Sequence, residues 1–172
     1  NIKWTSVNNI ETYNKFLKIF KKINFDKIKQ FIDFKDEIRC YSAFFVTRSY
    51  CKKPNFHTDF KNTGNNAFTL MTPLTNIDDD VNGHLLFKDN DDNVHVYRYK
   101  RGDCIVFGDS FLHSTQPYEG KEVTFLCFTF GSDKETYWKN IFECIKGQQN
   151  NVMRYDNEYV NSLEEINRLN QL

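Results

Sequence analysis

The segment NFHTDF places a histidine, His57, two residues before a carboxylate, Asp59. In an extended chain, alternate side chains leave on the same face, so an imidazole nitrogen and a carboxylate oxygen converge there. A second histidine from a neighbouring strand completes a three-donor face. Two imidazoles and one carboxylate suit Fe(II) and leave coordination positions open for a co-substrate and O2. A His-x-Asp pair alone is short enough to arise by chance. The chain has four histidines, His57, His84, His95 and His113. His84 stands beside the Asn82-Gly83 turn and His95 alternates with valines in VHVYRY; neither has a carboxylate two residues away. Both read as ordinary strand histidines.

Holding such a face requires strands, and the sequence supplies them. From Tyr41 to Phe130, short apolar and aromatic runs alternate with turn signals: YSAFFVTRSY, AFTLMTPL, GHLLF, VHVYRY, DCIVF, FLHS and EVTFLCFTF, punctuated by Asn82-Gly83 and Arg101-Gly102-Asp103. Many short antiparallel strands of this kind make a sandwich or barrel. Helical spacing marks the ends. Residues 8–33 read as one helix capped by Asn8 or Asn9, with Ile10, Tyr13, Phe16, Leu17, Phe20 and Ile23 on one side and Lys15, Lys18, Lys21 and Lys22 on a solvated face. Residues 133–146 read as a second helix, and Ser162 with Glu165 as the capping box of a third. The plan is a single domain over 1–172: a helical segment to residue 40, a β core over 41–130, and a helical segment over 131–172.

Composition narrows the class. A chain of 172 residues can bury a real core. Lys and Arg number 23 and so do Asp and Glu, a zero balance that argues against dedicated nucleic-acid binding. Cys40, Cys51, Cys104, Cys127 and Cys144 show no C-x-x-C spacing and read as small buried hydrophobes in a reducing compartment, which points to an intracellular, cytoplasmic protein. No apolar stretch approaches the roughly 20 residues of a membrane span. Residues 78–89, DDDVNGHLLFKD, match part of a calcium-loop pattern. The run before them contains Pro73 and reads as strand, where an EF-hand needs a helix, and Asn-Gly is equally a hairpin turn. The acidic stretch 89–93 reads as a solvated loop.

Together, HTD at 57–59, NGHLLF at 82–87, GDCIVF at 102–107, His113 and the closing strand 123–130 resemble the Fe(II)/2-oxoglutarate-dependent oxygenases. The layout is most similar to the phytanoyl-CoA-dioxygenase-like and prolyl-hydroxylase-like members, and the resemblance spans roughly residues 41–130. It implies a mainly β protein with flanking helices, built on a double-stranded β-helix (jelly-roll, cupin-like). It implies His57, Asp59 and His113 as iron ligands, with Fe(II), 2-oxoglutarate and O2 as the reacting set. It further implies hydroxylation of a small molecule or an amino-acid side chain.

The family places a cation on the closing strand, after the distal histidine, to hold the far carboxylate of 2-oxoglutarate. Here no Arg occurs between His113 and Arg154. Lys121, eight residues after His113, is the nearest cation, with Thr124 as an added hydroxyl. Arg48, in the apolar run SAFFVTRSY, is the second candidate, because a buried charge there needs a partner. This irregular anchor keeps two other readings open: a non-catalytic β-helix module that binds a ligand or protein, and a cupin-like metalloenzyme that does not use 2-oxoglutarate.

Overall fold

The computed structural model describes residues 2–77 and 83–171. Strand β1 (Ile2–Ser6) precedes helices α1 (Ile10–Phe20) and α2 (Asp26–Lys29). The central strands are β2 (Arg39–Cys51), β3 (Ala67–Pro73), β4 (Leu85–Lys88), β5 (Val94–Tyr97), β6 (Ile105–Phe107), β7 (His113–Thr115) and β8 (Tyr118–Gly131). Helix α3 (Glu135–Ile145), strands β9 (Asn151–Met153) and β10 (Tyr159–Asn161), and helix α4 (Ser162–Leu169) follow.

One sheet has the order β1-β2-β8-β3-β6 and a second the order β5-β4-β7, while β9 and β10 pair with each other. Residue His57 joins the second sheet through a bridge to His113. Along the chain the polypeptide crosses repeatedly between the two layers: β2 in the first, residue 57 in the second, β3 in the first, β4 and β5 in the second, then β6, β7 and β8 by turns. This winding is the double-stranded β-helix that the resemblance implies.

Side-chain alternation on the two longest strands divides the molecule. On β8, Val123, Phe125 and Cys127 enter the space between the sheets, while Leu126, Phe128 and Phe130 face the helices. On β2, Phe44 and Val46 face inward, and Ala43 and Phe45 outward. The outward set meets α1 through aromatic contacts, Phe16 with Phe45 at 5.3 Å and Phe20 with Phe128 at 5.5 Å between ring centroids. A third cluster gathers Trp138, Ile141, Phe142 and Ile145 of α3 under Tyr41 and Phe60.

Several local expectations change. The helix expected over 8–33 ends at Phe20. The chain turns back so that Phe25 packs on Phe20 at 4.8 Å and on Phe130 at 5.0 Å, and the Asn24 side chain accepts from the Asp26 amide at 2.8 Å. Burying a second phenylalanine against the sheet outweighs continuing the helix. Asn9 caps α1 as expected, accepting from the Thr12 amide at 2.8 Å, and Lys15, Lys18, Lys21 and Lys22 are exposed. The capping box does not form. Asn161 caps α4, Ser162 donates to the Gln149 carbonyl, and the buried Glu165 carboxylate accepts from Trp138 Nε1 at 2.6 Å and from Arg168. Burial pushes the Glu165 carboxyl up, but these donors outweigh it and hold it below the usual carboxylate range. The cysteines are all free; Cys40 and Cys127 are buried, but Cys104, also expected to be buried, is exposed. The residues of the calcium-like pattern from 78 to 82, with Asn82 of the expected turn, lie outside the described residues.

One carboxylate fixes the segment that follows the His-x-Asp pair. Asp109, in the turn between β6 and β7, accepts from the Thr63 amide at 2.8 Å, the Thr63 hydroxyl and the Asn65 amide at 3.2 Å. The Ser110 amide donates to the Phe60 carbonyl at 3.1 Å. Removing Asp109 leaves the amide of the buried Thr63 unpaired. Asp109→Ala will therefore destabilise the fold by about 3 kcal/mol, a fall in Tm of roughly 6–12 °C for a domain of this size. Asp109→Asn, which keeps an acceptor, will cost about half as much. Thermal denaturation followed by circular dichroism reads both.

Candidate metal centre

His57 and His113 form a reciprocal main-chain pair: each amide donates to the other's carbonyl at 3.0 Å. Residues directly opposite in an antiparallel pair put their side chains on the same face. The two imidazoles accordingly lie side by side, with ring centroids 4.5 Å apart. Asp59, two residues after His57, points to that same face. Its Oδ1 lies 3.7 Å from His57 Nε2 and 3.8 Å from His113 Nε2, and the three donor atoms all fall within 4.8 Å of one another.

Each donor is held from behind. His57 Nδ1 is 2.9 Å from the Asn55 carbonyl and His113 Nδ1 is 3.0 Å from the Phe111 carbonyl. Only a protonated Nδ1 can donate to a carbonyl, so a neutral ring held in this way presents an unprotonated Nε2 to the shared centre. Asp59 Oδ2 accepts from Thr69 Oγ1 at 2.7 Å, which leaves Oδ1 for the centre. Burial drives the pKa of His113 below the ordinary value for histidine; Asp59 opposes this without cancelling it. The neutral ring is the form in which His113 can ligate a metal. Metal–ligand bonds of about 2.0–2.2 Å would need these side chains to draw closer together. The donor set fits Fe(II).

His57, Asp59 and His113 line a cavity of about 140 Å³ between the sheets, together with Arg48, Thr69, Tyr99 and Trp4. The His57 side chain is 54% exposed whereas that of His113 is 8% exposed, so the cavity opens on the His57 side. Arg48, on β2, projects into it. Thr124 does not; it lies on the opposite face of β8, with its hydroxyl 3.0 Å from that of Thr47. Lys121 is exposed and is not among the cavity-lining residues. The physical reason is the register: Val123, not Thr124, is the inward residue of β8, and it pairs with Arg48. His84 is buried, with Nδ1 accepting from the Tyr99 amide at 3.1 Å, and His95 lies outside against Asp89 at 2.7 Å. That contact, with the Asn93 and Asp91 amides, holds the Asp89 carboxyl at about 2. Thr69 and Tyr99 were not singled out from the sequence. A threonine inside the apolar run AFTLMTPL is the only signal that Thr69 leaves.

No family model matches the chain, and a search of curated proteins gives no match. Solved structures do match. A viral collagen prolyl hydroxylase from Paramecium bursaria Chlorella virus-1, in complex with 2-oxoglutarate, aligns over 78% of this chain and 81% of its own at 16% identity and a TM-score of 0.51. An oxidoreductase of the 2OG-Fe(II) oxygenase family from Burkholderia pseudomallei aligns over 76% and 67%, at 12% identity and a TM-score of 0.53. HygX from Streptomyces hygroscopicus, with nickel and 2-oxoglutarate bound, aligns over 76% and 70%, at 8% identity and a TM-score of 0.55. The chain has the fold of the 2-oxoglutarate/Fe(II) oxygenases. No helix among its described residues is long and apolar enough to cross a membrane.

Two predictions follow from the geometry. His57→Ala, Asp59→Ala and His113→Ala will each weaken metal binding by more than roughly the hundredfold that loss of a supporting partner costs. The fold will survive, because the bridge between residues 57 and 113 is made by the main chain. Metal titration with circular dichroism on the same samples tests this, and loss of metal in His84→Ala or His95→Ala instead would contradict it. Thr69→Val keeps the shape of the side chain but removes the hydrogen bond to Asp59. It will weaken metal binding by about 10- to 100-fold, read by competition with a chromophoric chelator.

Proposed function

We propose that this protein is an Fe(II)- and 2-oxoglutarate-dependent oxygenase that hydroxylates a small molecule or an amino-acid side chain, with His57, Asp59 and His113 holding the iron. The observation that carries the reading is the convergence of His57 Nε2, Asp59 Oδ1 and His113 Nε2, each tied back by a second hydrogen bond, inside a double-stranded β-helix. Solved structures with this fold are described with 2-oxoglutarate, and one with nickel as well.

The iron, with 2-oxoglutarate and O2, supplies an oxidation in which the co-substrate is decarboxylated to succinate and CO2 and one oxygen atom enters a substrate C–H bond. The chain's own residues do the rest. The main-chain pair between 57 and 113 fixes the two imidazoles, and Thr69 aims the carboxylate. Phe107 and Phe111, with ring centroids 4.6 Å and 5.6 Å from that of His113, exclude water from its buried side. A cavity of about 140 Å³ falls well short of the roughly 300–1,000 Å³ that enclose a drug-sized ligand. It takes a compact co-substrate, and the body of the substrate to be hydroxylated rests at the mouth, on the exposed side of His57.

Anaerobic addition of Fe(II) and then 2-oxoglutarate will produce the weak visible charge-transfer absorption of a 2-oxo acid on ferrous iron. Admitting O2 with a panel of free amino acids, peptides and small metabolites will release succinate in proportion to the hydroxylated product. Iron binding without the absorption moves the protein to a metalloenzyme that does not use 2-oxoglutarate. Absence of iron binding returns it to a non-catalytic ligand-binding module.

A further inference from the structure

Arg48 is a buried charge with no anion to meet it among the described residues. The residue is 8% exposed. One guanidinium nitrogen donates to Thr115 Oγ1 and another to the Gly83 carbonyl at 2.6 Å, and the group lies 4.7 Å from the centre of the Phe125 ring. None of these partners is a carboxylate, and Arg48 makes no ion pair among the described residues. A guanidinium carries five N–H donors, and its other polar neighbours, the Tyr99 and Tyr118 hydroxyls, are uncharged. The Nε donor is buried without a partner. Beside it stands Tyr99, 3% exposed, whose hydroxyl lies against the Arg48 guanidinium and meets no other hydrogen-bond partner. Burial raises the pKa of the Tyr99 phenol; Arg48 pulls the other way and does not prevail, so the group stays an O–H donor. Both residues line the cavity that holds His57, Asp59 and His113. Buried charges are stable only when paired, and buried donors only when satisfied. A cavity with a metal-ligand set and an unanswered guanidinium with a phenolic O–H is built for a compact molecule that coordinates with one end and carries a carboxylate at the other.

We propose that Arg48 and Tyr99 form the receptor for the distal carboxylate of a 2-oxo dicarboxylic acid, an inference that rests on the oxygenase reading above. The cation comes from β2 rather than from the closing strand. On β8 the inward residue ten positions after His113 is Val123, an aliphatic side chain that cannot bind an anion. Its cross-strand partner is Arg48. Neighbouring strands are about 4.8 Å apart, a distance a guanidinium on its three-methylene stem spans. The charge has moved one strand across the ladder while the subsite stays in place. Arginine suits the displaced position because its fork can hold a carboxylate with two hydrogen bonds, whereas an ammonium meets it only as a point charge.

The test measures binding rather than turnover. Protein loaded with Ni(II) is titrated calorimetrically with 2-oxoglutarate and with 2-oxopentanoate, which has the same chain and 2-oxo acid head but no distal carboxylate. Wild type will prefer 2-oxoglutarate by about 10- to 150-fold, the worth of a charge-assisted hydrogen bond. Arg48→Ala will erase that preference while leaving 2-oxopentanoate binding unchanged. Tyr99→Phe will reduce it about 2- to 12-fold. Placing an arginine at the cross-strand position, in the double variant Arg48→Ala with Val123→Arg, will restore part of it. If Arg48→Ala does not fold, Arg48→Met, which keeps the aliphatic stem over Phe125, replaces it. A preference that survives in the Arg48 variant, or that disappears in Lys121→Ala, overturns the assignment and leaves the oxygenase reading standing. Wild type that binds metal but not 2-oxoglutarate overturns both.

Discussion

The candidate centre depends on the reciprocal hydrogen bonds between residues 57 and 113. They set two imidazoles on one face of a sheet edge without using either side chain, so both rings stay free to coordinate. Much of the surrounding structure serves this contact. The β6–β7 turn carries Asp109, which holds the loop after Asp59, and the same turn delivers His113 onto the edge of the second sheet. Strand β3 brings Thr69 up under Asp59 from the first sheet. A donor set assembled by main-chain pairing is rigid before any ion arrives, and pre-organised ligands spend little binding energy on ordering themselves.

The second constraint is parity. On β2 and β8 a shift of one residue exchanges cavity for helix layer. Arg48 and Val123 stand opposite each other and face inward; Thr47 and Thr124 stand opposite each other and face outward, where their hydroxyls meet. Counting residues from His113 along the sequence does not reveal this parity, because the ladder between β2 and β8 is irregular between Arg48 and Tyr50. That irregularity lies where the chain rises from the exposed Lys121 into the sheet, so neither the length of the turn nor the inward set of β8 can be read from spacing alone.

Where local pattern and tertiary packing agreed, the sequence was legible. His57 and Asp59 share a face because extended chains alternate, and the strand runs appear as β2 to β8 because aromatic and β-branched residues suit a pleated sheet with one face buried. The legible part ended where packing overrode propensity. Ile23 fits the spacing of a continuing helix, yet the helix stops at Phe20 because Phe25 gains more against Phe130 than it would on an extended helix. Glu165 fits a capping box, yet its carboxylate is drawn to the indole N–H of Trp138, a partner 27 residues away. Strand β1 and the β9–β10 hairpin show no alternation of buried and exposed residues that a sequence pattern could signal. Thr69 and Tyr99 gain their roles only from what lies across the fold.

The cavity gathers positive charge in two places, and that orders what enters. A divalent ion beside the Asp59 carboxylate would keep about one positive charge. Arg48 contributes another where water screens it little. On the proposed reading, a dianion with one carboxylate free would gain most by entering first and lying between the two. The remaining access is past Trp4 and the exposed side of His57, with Trp4 half exposed and its ring 5.0 Å from that of Phe44. On the proposed reading, a substrate to be hydroxylated would meet the centre through that opening, over Ile2 and Trp4 of β1, and would cover the mouth once seated, so the dicarboxylate would have to enter first.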